Sequence, residues 1–328
     1  MQTYCITLEP VTAFGTPLAG DTLFGQLCWT LRHRYGNDRL NNLLEGYLEG
    51  QPYAILSDAF PAGYIPLPAL PVTCWQRDNT TDRKALKAKR WFDRDKLHVP
   101  LAQWQQYAAS DNDITRLQNP KNANRQNQNP AGIFSATDIR SHNTIDRMTG
   151  TTGTGMFAPY TRAQTWYAPQ CQLQCYAVLD ENRLTIDELE ENLAAIGNTG
   201  YGRDASAGLG KFRITGIKKH HWPDQSGAAC ITLAPCAPQG MHWKAQESYY
   251  RIHTRFGRHG DIAACGSNPF KRPLLMAQTG AVFTLEKANG NPWIGQGIGG
   301  ISFMDPRTVH QGYAPVIYLP PLSGETRQ

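Results

Sequence analysis

A glycine-rich run in the second half of the chain constrains the fold more than any other feature. Residues 197–212 read GNTGYGRDASAGLGKF. Before the run, Thr185 and Glu188 have the spacing of a capping box, which predicts the start of a helix, and Gly197 stands where that helix would end. After the run, residues 212–217 have the composition of a strand. The predicted local order is therefore helix, glycines, strand.

This order excludes the two common nucleotide-binding loops. A Walker loop needs Gly-Lys-Ser/Thr at the start of a helix, and a dinucleotide fingerprint needs a strand before its glycines and a helix after them. Glycine has no Cβ and tolerates positive φ, so a loop of this kind can bring backbone amides close to a phosphate. A surface loop whose glycines only form turns is the alternative. The candidate contact residues are Gly200, Gly202, Arg203, Gly208, Gly210 and Lys211.

Composition favours a soluble protein of about two domains. The chain has 328 residues, of which 41% are hydrophobic, and a formal net charge of +5. This mild excess of positive charge suits a protein that binds a short stretch of phosphates. No run of about 20 apolar residues and no signal-peptide pattern is present, so we expect a cytoplasmic protein without a membrane partner.

The cysteines do not indicate a metal site. Eight cysteines occur, none of them in a Cys-x-x-Cys pair and none with histidines at ligand spacing. Two adjacent histidines, His220 and His221, have no third ligand close in sequence, and we expect them to face solvent. We therefore expect mostly buried free thiols, no metal and no cofactor.

The order of predicted elements indicates an α+β fold. Residues 3–8 alternate like a strand, and a helix with an apolar face follows from Asp21, with Asp21 or Thr22 as its cap. The second half repeats this pattern around the helix that begins near Thr185 and continues with strands near residues 229–233, 274–285 and 315–319. We predict two ferredoxin-like (RRM-like) domains, residues 1–165 and 166–328, with the glycine-rich loop in the second.

A second informative stretch lies at residues 139–160, which read IRSHNTIDRMTGTTGTGMFAPY. Cations alternate there with apolar side chains around a TGTTGTG turn, which predicts a hairpin near residues 139–157. An ion pair between Asp146 and Arg147 would stiffen it. A general base at His142 is the catalytic alternative, but a binding or surface role is favoured for a lone histidine. The candidate binding residues are Arg140, His142, Arg147 and Met148.

Other segments give weaker signals. Residues 76–100 are rich in cations and predict either a solvated helix face or a contact with RNA or a partner. Residues 111–130 are rich in Asn, Gln and Asp, which predicts a loop or an irregular insertion. Residues 295–300, GQGIGG, indicate a flexible turn between strands. Four cations, Arg255, Arg258, Lys271 and Arg272, are either contacts with RNA or with a large partner subunit, or part of an exposed loop.

Several separated segments together resemble one family, the guide-RNA-capping subunits of type III-A CRISPR effectors (Csm complexes), which belong to the Cas-five group of the RAMP superfamily. The segments follow the family's order over nearly the full chain. They are GDTLFGQLCWTL at 20–31, ILSDAFP at 55–61, HNTIDRMTGTTGTGMF at 142–157, the glycine-rich run, KRPLLMAQTGAVF at 271–283 and VHQGYAPVI at 309–317.

The resemblance implies a structural role in antiviral defence. Members of this family bind the 5′ handle of the CRISPR RNA (crRNA), dock the large signature subunit of the Cas-ten type, and adjoin a Cas-seven-like backbone subunit. The hairpin at 139–157 would correspond to the family's thumb, and the glycine-rich run to its G-loop. No catalytic residues are expected. The alternatives are a crRNA-processing endoribonuclease and the equivalent cap subunit of a type III-B or III-D complex.

Overall fold

The computed structural model describes residues 1–76, 82–118, 134–223, 227–288 and 290–320. The helices are α1 (Gly20–Leu44), α2 (Arg83–Ala88), α3 (Trp104–Tyr107), α4 (Asp111–Gln118) and α5 (Ile186–Thr199). The strands are β1 (Gln2–Pro10), β2 (Ala54–Leu56), β3 (Phe60–Pro61), β4 (Tyr64–Pro66), β5 (Trp91–Asp93), β6 (Ala108–Ala109), β7 (Ser135–His142), β8 (Tyr160–Tyr167), β9 (Leu173–Leu179), β10 (Phe212–Lys219), β11 (Ala229–Thr232), β12 (Ile252–Arg255), β13 (Leu274–Ala277), β14 (Val282–Thr284), β15 (Trp293–Ile298) and β16 (His310–Tyr318). None of the described helices is long and apolar enough to cross a bilayer.

The first sheet has the strand order β10-β1-β9-β2, and its neighbouring strands are antiparallel. Helix α1 connects β1 to β2 and helix α5 connects β9 to β10, which is the arrangement of a ferredoxin-like βαββαβ unit. The sheet takes β1 and β2 from before the predicted boundary at residues 165 and 166, and β9 and β10 from after it. The two βαβ patterns that the sequence suggests as separate units thus interleave in one sheet.

Both helices pack on this sheet as their apolar spacing predicts. Helix α1 buries Leu23, Phe24, Leu27 and Leu31, and α5 buries Leu189, Leu193 and Ile196. The capping box of α5 is present in full, since the Thr185 hydroxyl accepts from the Glu188 amide and the Glu188 carboxylate accepts from the Thr185 amide. Because α5 continues to Thr199, its C-cap is Gly200 and not Gly197, as the sequence had suggested.

The start of α1 differs from the prediction. The N-cap is Ala19, which makes no side-chain cap, and the Gly20 amide donates instead to Asp58 Oδ1 at 2.8 Å. Asp21, one of the two predicted caps, lies inside the helix with its side chain fully buried. The reason is tertiary, because partners distant in sequence hold this carboxylate more strongly than the helix N-terminus could.

A second sheet contains β14-β11-β16-β15 in this order, and its neighbouring strands are antiparallel. The described residues of 227–320 contain short 3₁₀ turns but no α-helix, so this part departs from the expected ferredoxin-like pattern. The strand predicted at 274–285 is divided into β13 and β14 by a turn at Gly280, which has a φ of 86°. The turn predicted at 295–300 is mostly part of β15.

The two sheets share a junction at β2, α1 and β16. The Gln311 side chain in β16 accepts from the Leu56 amide at 2.9 Å and donates to the Leu56 carbonyl at 2.7 Å. Tyr47, just after α1, stacks on Phe24 and meets the ring of Tyr313 edge-on. These rings are fully buried, so the hydrophobic core continues from one sheet to the other.

Part of the segment predicted to be an irregular insertion is helical. Helix α4 begins at Asp111, because Ser110 and Asp113 bond to each other as the residues of a capping box do. Ile114 of this helix is fully buried. The rest of that insertion, residues 119–130, lies outside the described residues. So do residues 77–81 of the basic segment. Arg94, in the described part of that segment, is half-buried and donates to the hydroxyl of Tyr176 at 3.1 Å.

Candidate nucleic-acid interface

The glycine-rich loop between α5 and β10 is fixed by packing against the chain itself. At Gly202 a Cβ would lie 2.0 Å from the hydroxyl oxygen of Thr16, and at Gly210 it would lie 2.1 Å from the Tyr201 carbonyl oxygen. Both glycines have positive φ. Gly208 also has positive φ, at 88°, but nothing lies within 4 Å of its Cβ position. Of these three loop glycines, Gly208 is the one that has free space at the position of a Cβ.

Tyr201 anchors the loop to the start of α1. Its side chain is fully buried, and its hydroxyl accepts from the Ala19 amide at 2.9 Å and donates to the Pro17 carbonyl at 2.9 Å. The Gly210 amide donates to the Ala13 carbonyl at 2.7 Å. The loop therefore has a fixed position beside the segment that connects β1 to α1.

Arg203 links the loop to strand β8 of the hairpin formed by β7 and β8. Its guanidinium donates to the Ala163 carbonyl in β8 at 2.6 Å. Asp204, which has a left-handed φ of 65°, pairs with Arg162 of β8 at 2.8 Å and with Arg203 at 3.4 Å. The charge of Arg203 is thus partly neutralised, and its position is structural as well as electrostatic.

Lys211 is the loop cation with the freer side chain. Its amide donates to the Thr12 hydroxyl at 2.9 Å, which fixes the backbone, and its side chain is partly exposed. No carboxylate among the described residues forms an ion pair with it. Lys211 therefore supplies an unneutralised charge where the loop enters β10.

The hairpin pairs β7 with β8 in regular antiparallel register, from Ser135 opposite Tyr167 to His142 opposite Tyr160. The predicted range 139–157 covers the second half of β7 and the connection beyond it, whereas the start of β7 and all of β8 lie outside it. Arg140 lies opposite Arg162, and each has its own carboxylate partner, Asp138 for Arg140 and Asp204 for Arg162. The two like charges are therefore tolerated side by side.

Aromatic rings accompany the hairpin's cations. The Arg140 guanidinium lies 5.6 Å from the Trp166 ring centre, and that of Arg162 lies 5.0 Å from the ring centre of Tyr160. His142 stacks on Tyr160 at 5.4 Å with an interplanar angle of 11°. This face therefore offers cations and flat rings together, the combination that single-stranded nucleic acids bind.

The tip of the hairpin exposes apolar side chains. Met148 is 93% exposed, Met156 81% and Ile145 59%. The Asp146 carboxylate accepts from the Met148 amide at 2.8 Å. In the described residues it forms no ion pair with Arg147, so the predicted pair between them is wrong and a local turn replaces it.

The site residues predicted from the sequence thus fall into two groups, one at the loop and the hairpin strands and one at the hairpin tip. Arg203 and Asp204 join the glycine-rich loop to strand β8 of the hairpin, whereas Arg147 and Met148 lie in the connection at the tip of the hairpin. The ring of His142 stacks on Tyr160, and no carboxylate of the described residues pairs with it. Within the described residues, no group of His, Cys, Asp and Glu is placed to hold a metal ion.

His220 is not the solvent-facing residue that the sequence suggested. Its ring packs against Tyr176 at 5.4 Å and against Trp222 at 4.2 Å. Burial, together with the nearby charges of Arg94 and His221, lowers the pKa of His220 to about 4. His220 is therefore a neutral part of the packed face of the first sheet near neutral pH.

A buried charged network beside the loop was not foreseen. Asp21 pairs with Arg255 at 2.8 Å and lies 3.3 Å from the ring of His310. Burial by itself would raise the pKa of Asp21, but the contacts with His310 and Arg255 outweigh it and lower this pKa to about 2. Arg255, considered a possible RNA contact, is therefore committed to the junction between α1 and β12.

Asp58 completes this junction. It accepts from the Gly20 amide and from the Thr279 hydroxyl. Burial raises the pKa of Asp58 to about 7 in spite of these bonds, and the neighbouring Asp21 adds to the effect. Polar groups from both sheets thus fix the start of α1, to which Tyr201 of the loop is hydrogen-bonded.

Comparison with known proteins supports this fold at low sequence identity. No protein-family model and no curated protein matches the sequence significantly. Among solved structures, the chain matches one from a Csm3-Csm4 subcomplex of the type III-A CRISPR-Cas interference complex, with a TM-score of 0.60, 15% identity and coverage of 97% of this chain and 100% of that chain. It also matches a chain from a Csm1-Csm4 cassette in complex with pppApA, with a TM-score of 0.58, 14% identity and coverage of 98% and 99%.

A second Csm1-Csm4 cassette, in complex with cA3, matches with a TM-score of 0.56, 13% identity and coverage of 98% of this chain and 100% of that chain. Csm4 is the subunit that all three structures have in common. The TM-scores of 0.56–0.60 over nearly the full length of the chains show a shared fold, at identities of only 13–15%.

Proposed function

We propose that this chain is a Csm4-like structural subunit of a type III-A CRISPR interference complex, which binds the 5′ handle of crRNA without cleaving it. The observation that carries the proposal is the connection between the glycine-rich loop and the hairpin through Arg203, Asp204 and Arg162. This connection supports one RNA site in which the loop contributes cations and a closely approachable backbone, and the hairpin contributes cations and aromatic rings. That surface suits an irregular single strand, whose phosphates and bases need different contacts.

In this proposal the parts of the site have different tasks. Lys211 receives a phosphate through its charge, and the open space at Gly208, whose amide donates to the Ala205 carbonyl at 2.9 Å, lets the strand approach the loop closely. The hairpin serves as the thumb, with His142 on Tyr160 and Arg140 on Trp166 offering flat surfaces to bases. Met148 and Ile145 wedge against the RNA at the far end.

The same proposal covers the partners and the domains. Csm1-Csm4 and Csm3-Csm4 structures share this fold, so we infer a large Cas-ten-type subunit and a Cas-seven-like backbone subunit as neighbours. The first sheet with α1 and α5 represents the RRM-like domain of a RAMP protein. The second sheet, with its different strand order, represents a divergent second domain.

RNA binding by the purified chain tests the proposal. Lys211→Gln and Arg147→Gln should each weaken binding of labelled repeat-derived RNA several-fold in fluorescence anisotropy. Each should also reduce the slope of log K against log salt by about 0.7, because each removes one phosphate contact with a single strand. Arg203 is unsuitable for this test, since it also holds β8. Lys244→Gln, which changes an exposed cation in the second half, is the matched control.

Further outcomes of these experiments separate the alternatives. Specific cleavage of the repeat RNA would replace the scaffold by an endoribonuclease, and unchanged binding in both variants would remove the loop and hairpin from the site. Co-purification with a Csm1-like or with a type III-B or III-D large subunit would decide the subtype. Absence of RNA binding by the wild-type chain, alone and with these partners, would overturn the proposal.

A further inference from the structure

An exposed face in the second half of the chain carries three phenylalanines and two arginines. We call it the ribbon face, and it contains Phe256, Arg258, Phe270, Arg272 and Phe303. The three rings are 76%, 61% and 59% exposed. Neither the hairpin nor the glycine-rich loop includes any of these residues. Two of them, Arg258 and Arg272, stood out in the sequence as cations that contact RNA or the large subunit or belong to an exposed loop.

The backbone explains why these side chains share one face. Arg258 bridges Phe270, and Lys271 bridges Ser302, so three chain segments run side by side with antiparallel neighbours. Residues two apart on such segments point to the same side. Phe256 and Arg258 therefore lie on the same side as Phe270 and Arg272.

The residues between them point the other way. The side chain of Lys271 lies against Gly257 and, with His259, lines a cavity of about 220 Å³ beside α1. Burial lowers the pKa of Lys271, which agrees with a position beneath the ribbon. Side chains along these segments thus alternate between the side that faces the core and the side that faces solvent.

The arginines are positioned over the rings. The Arg258 guanidinium lies 5.7 Å from the ring centre of Phe270, and that of Arg272 lies 5.1 Å from the ring centre of Phe303. In the part of the chain that the structure describes, neither arginine forms an ion pair with a carboxylate. The ribbon face therefore presents two unneutralised charges among three exposed rings.

The ribbon face lies beside the proposed RNA site. Arg255, directly before Phe256, pairs with Asp21 near the start of α1. Two residues earlier, the Ala19 amide donates to the hydroxyl of Tyr201 in the glycine-rich loop. The start of α1 thus lies between the loop and the ribbon face.

We propose that the ribbon face binds single-stranded RNA, with bases stacked on the phenylalanine rings and phosphates on Arg258 and Arg272. The inference rests on the proposed function in that its ligand is RNA, and it adds a second contact surface. Rings that alternate with guanidinium groups lacking a carboxylate partner among the described residues match a strand that repeats a base and a phosphate. A protein partner would have to place a carboxylate opposite each guanidinium, because burying either charge unpaired is costly.

Length-dependent binding of oligouridine RNA tests this inference. We expect the affinity of the wild-type chain to rise with oligonucleotide length as the strand reaches the ribbon face. In the triple variant Phe256→Leu, Phe270→Leu, Phe303→Leu the gain from length should be lost. Each ring contributes about five-fold or more in Kd, because stacking is worth about 1 kcal/mol or more per base. Leucine keeps the surface apolar, so the variant removes stacking specifically.

Matched controls separate the possible outcomes. Ile252→Ala and Leu275→Ala change exposed apolar side chains of the neighbouring β12 and β13, and should leave RNA binding unchanged. Thermal unfolding of every variant checks that the fold persists. If the wild-type chain binds no RNA, both proposals fail. If Lys211→Gln weakens binding but the triple variant retains the gain from length, the ribbon face is no RNA site and the proposed function stands.

A protein partner is the remaining alternative occupant. Loss of copurifying Csm1-like or Csm3-like subunit in the triple variant, with unchanged RNA binding, would overturn the inference in favour of protein docking. The double variant Arg258→Gln, Arg272→Gln gives an independent measurement. The slope of log K against log salt should fall by about 1.4 in this variant, because each of the two lost phosphate contacts contributes about 0.7. An unchanged slope would likewise contradict the inference.

Discussion

The glycine-rich loop is fixed to the rest of the molecule, whereas the tip of the hairpin is not. Tyr201 in the loop is 0% exposed and bonded to the start of α1, while Met148 at the tip is 93% exposed. Both belong to the same proposed RNA site. In the proposed site, the loop would set the position of the RNA, and the hairpin would supply side chains that become buried only on binding.

Substitutions in the two regions should therefore affect different quantities, namely the free energy of unfolding for the loop and the affinity for RNA for the hairpin tip. A change in the loop disturbs contacts already made in the free protein, so it costs folding stability. A change at the tip removes contacts made only with the ligand, so it costs affinity. Stability and affinity measured on the same variants therefore test the comparison directly.

The largest expected effect is at Gly210. Gly210→Ala places a Cβ 2.1 Å from the Tyr201 carbonyl oxygen at a φ of 75°, so both a clash and a strained backbone result. We expect a loss of about 3 kcal/mol in the free energy of unfolding, measured by urea denaturation. Gly208→Ala is the control, with positive φ but open space, and should lose about 1 kcal/mol. Equal losses would show that packing does not hold the loop.

A smaller effect is expected from the polar junction beneath the loop. The pKa of Asp58 is about 7 in the folded protein against 3.8 for a free side chain, so between these values the folded state binds the extra proton. Its contribution is therefore complete below the lower pKa and is lost as the pH rises through about 7. We expect the free energy of unfolding to fall between about pH 5 and pH 8, by up to about 1.4 kcal/mol per pH unit from this group.

Asp58→Asn provides the matching measurement, because the amide keeps an acceptor for the Gly20 amide and cannot titrate. The slope of stability against pH should flatten in this variant. Asp21, with its pKa lowered to about 2, acts in the opposite direction and in a separate range, since its contribution is lost as the pH falls below 3.8. If the slope of stability against pH near neutral pH persists in Asp58→Asn, a titratable group other than Asp58 causes it.

Local signals in the sequence predicted the elements on which the loop depends. The capping box at Thr185 and the helical spacing of Leu23, Leu27 and Leu31 are confirmed, because capping and amphipathic packing act within a few residues. The glycines of the loop were also recognised, although three of them, Gly200, Gly202 and Gly210, prove to face the protein's own atoms.

Features that depend on distant partners could not be predicted in this way. The pairing of β1 with both β9 and β10 brings residues about 170 or more positions apart together, and no periodicity encodes it. Asp21 was taken for a helix cap because its partners Arg255 and His310 lie at the other end of the chain. The ribbon face had a signal, since Phe256 and Arg258 repeat the spacing of Phe270 and Arg272, but aromatic residues at such positions are usually buried in strands.

The smallest expected effect on stability, and the sharpest test of the comparison, is at the hairpin tip. Met148→Ala should change the free energy of unfolding by less than about 0.5 kcal/mol, because the side chain contacts almost nothing in the free protein. Its affinity for handle RNA should fall about ten-fold, since burying the methionine against a base is worth about 1.4 kcal/mol or more. Val72→Ala, at an apolar side chain that is 81% exposed outside the loop and the hairpin, is the control. If Met148→Ala lowers stability but leaves affinity unchanged, the tip packs in the free protein and the distinction between a fixed loop and an adaptable hairpin is wrong.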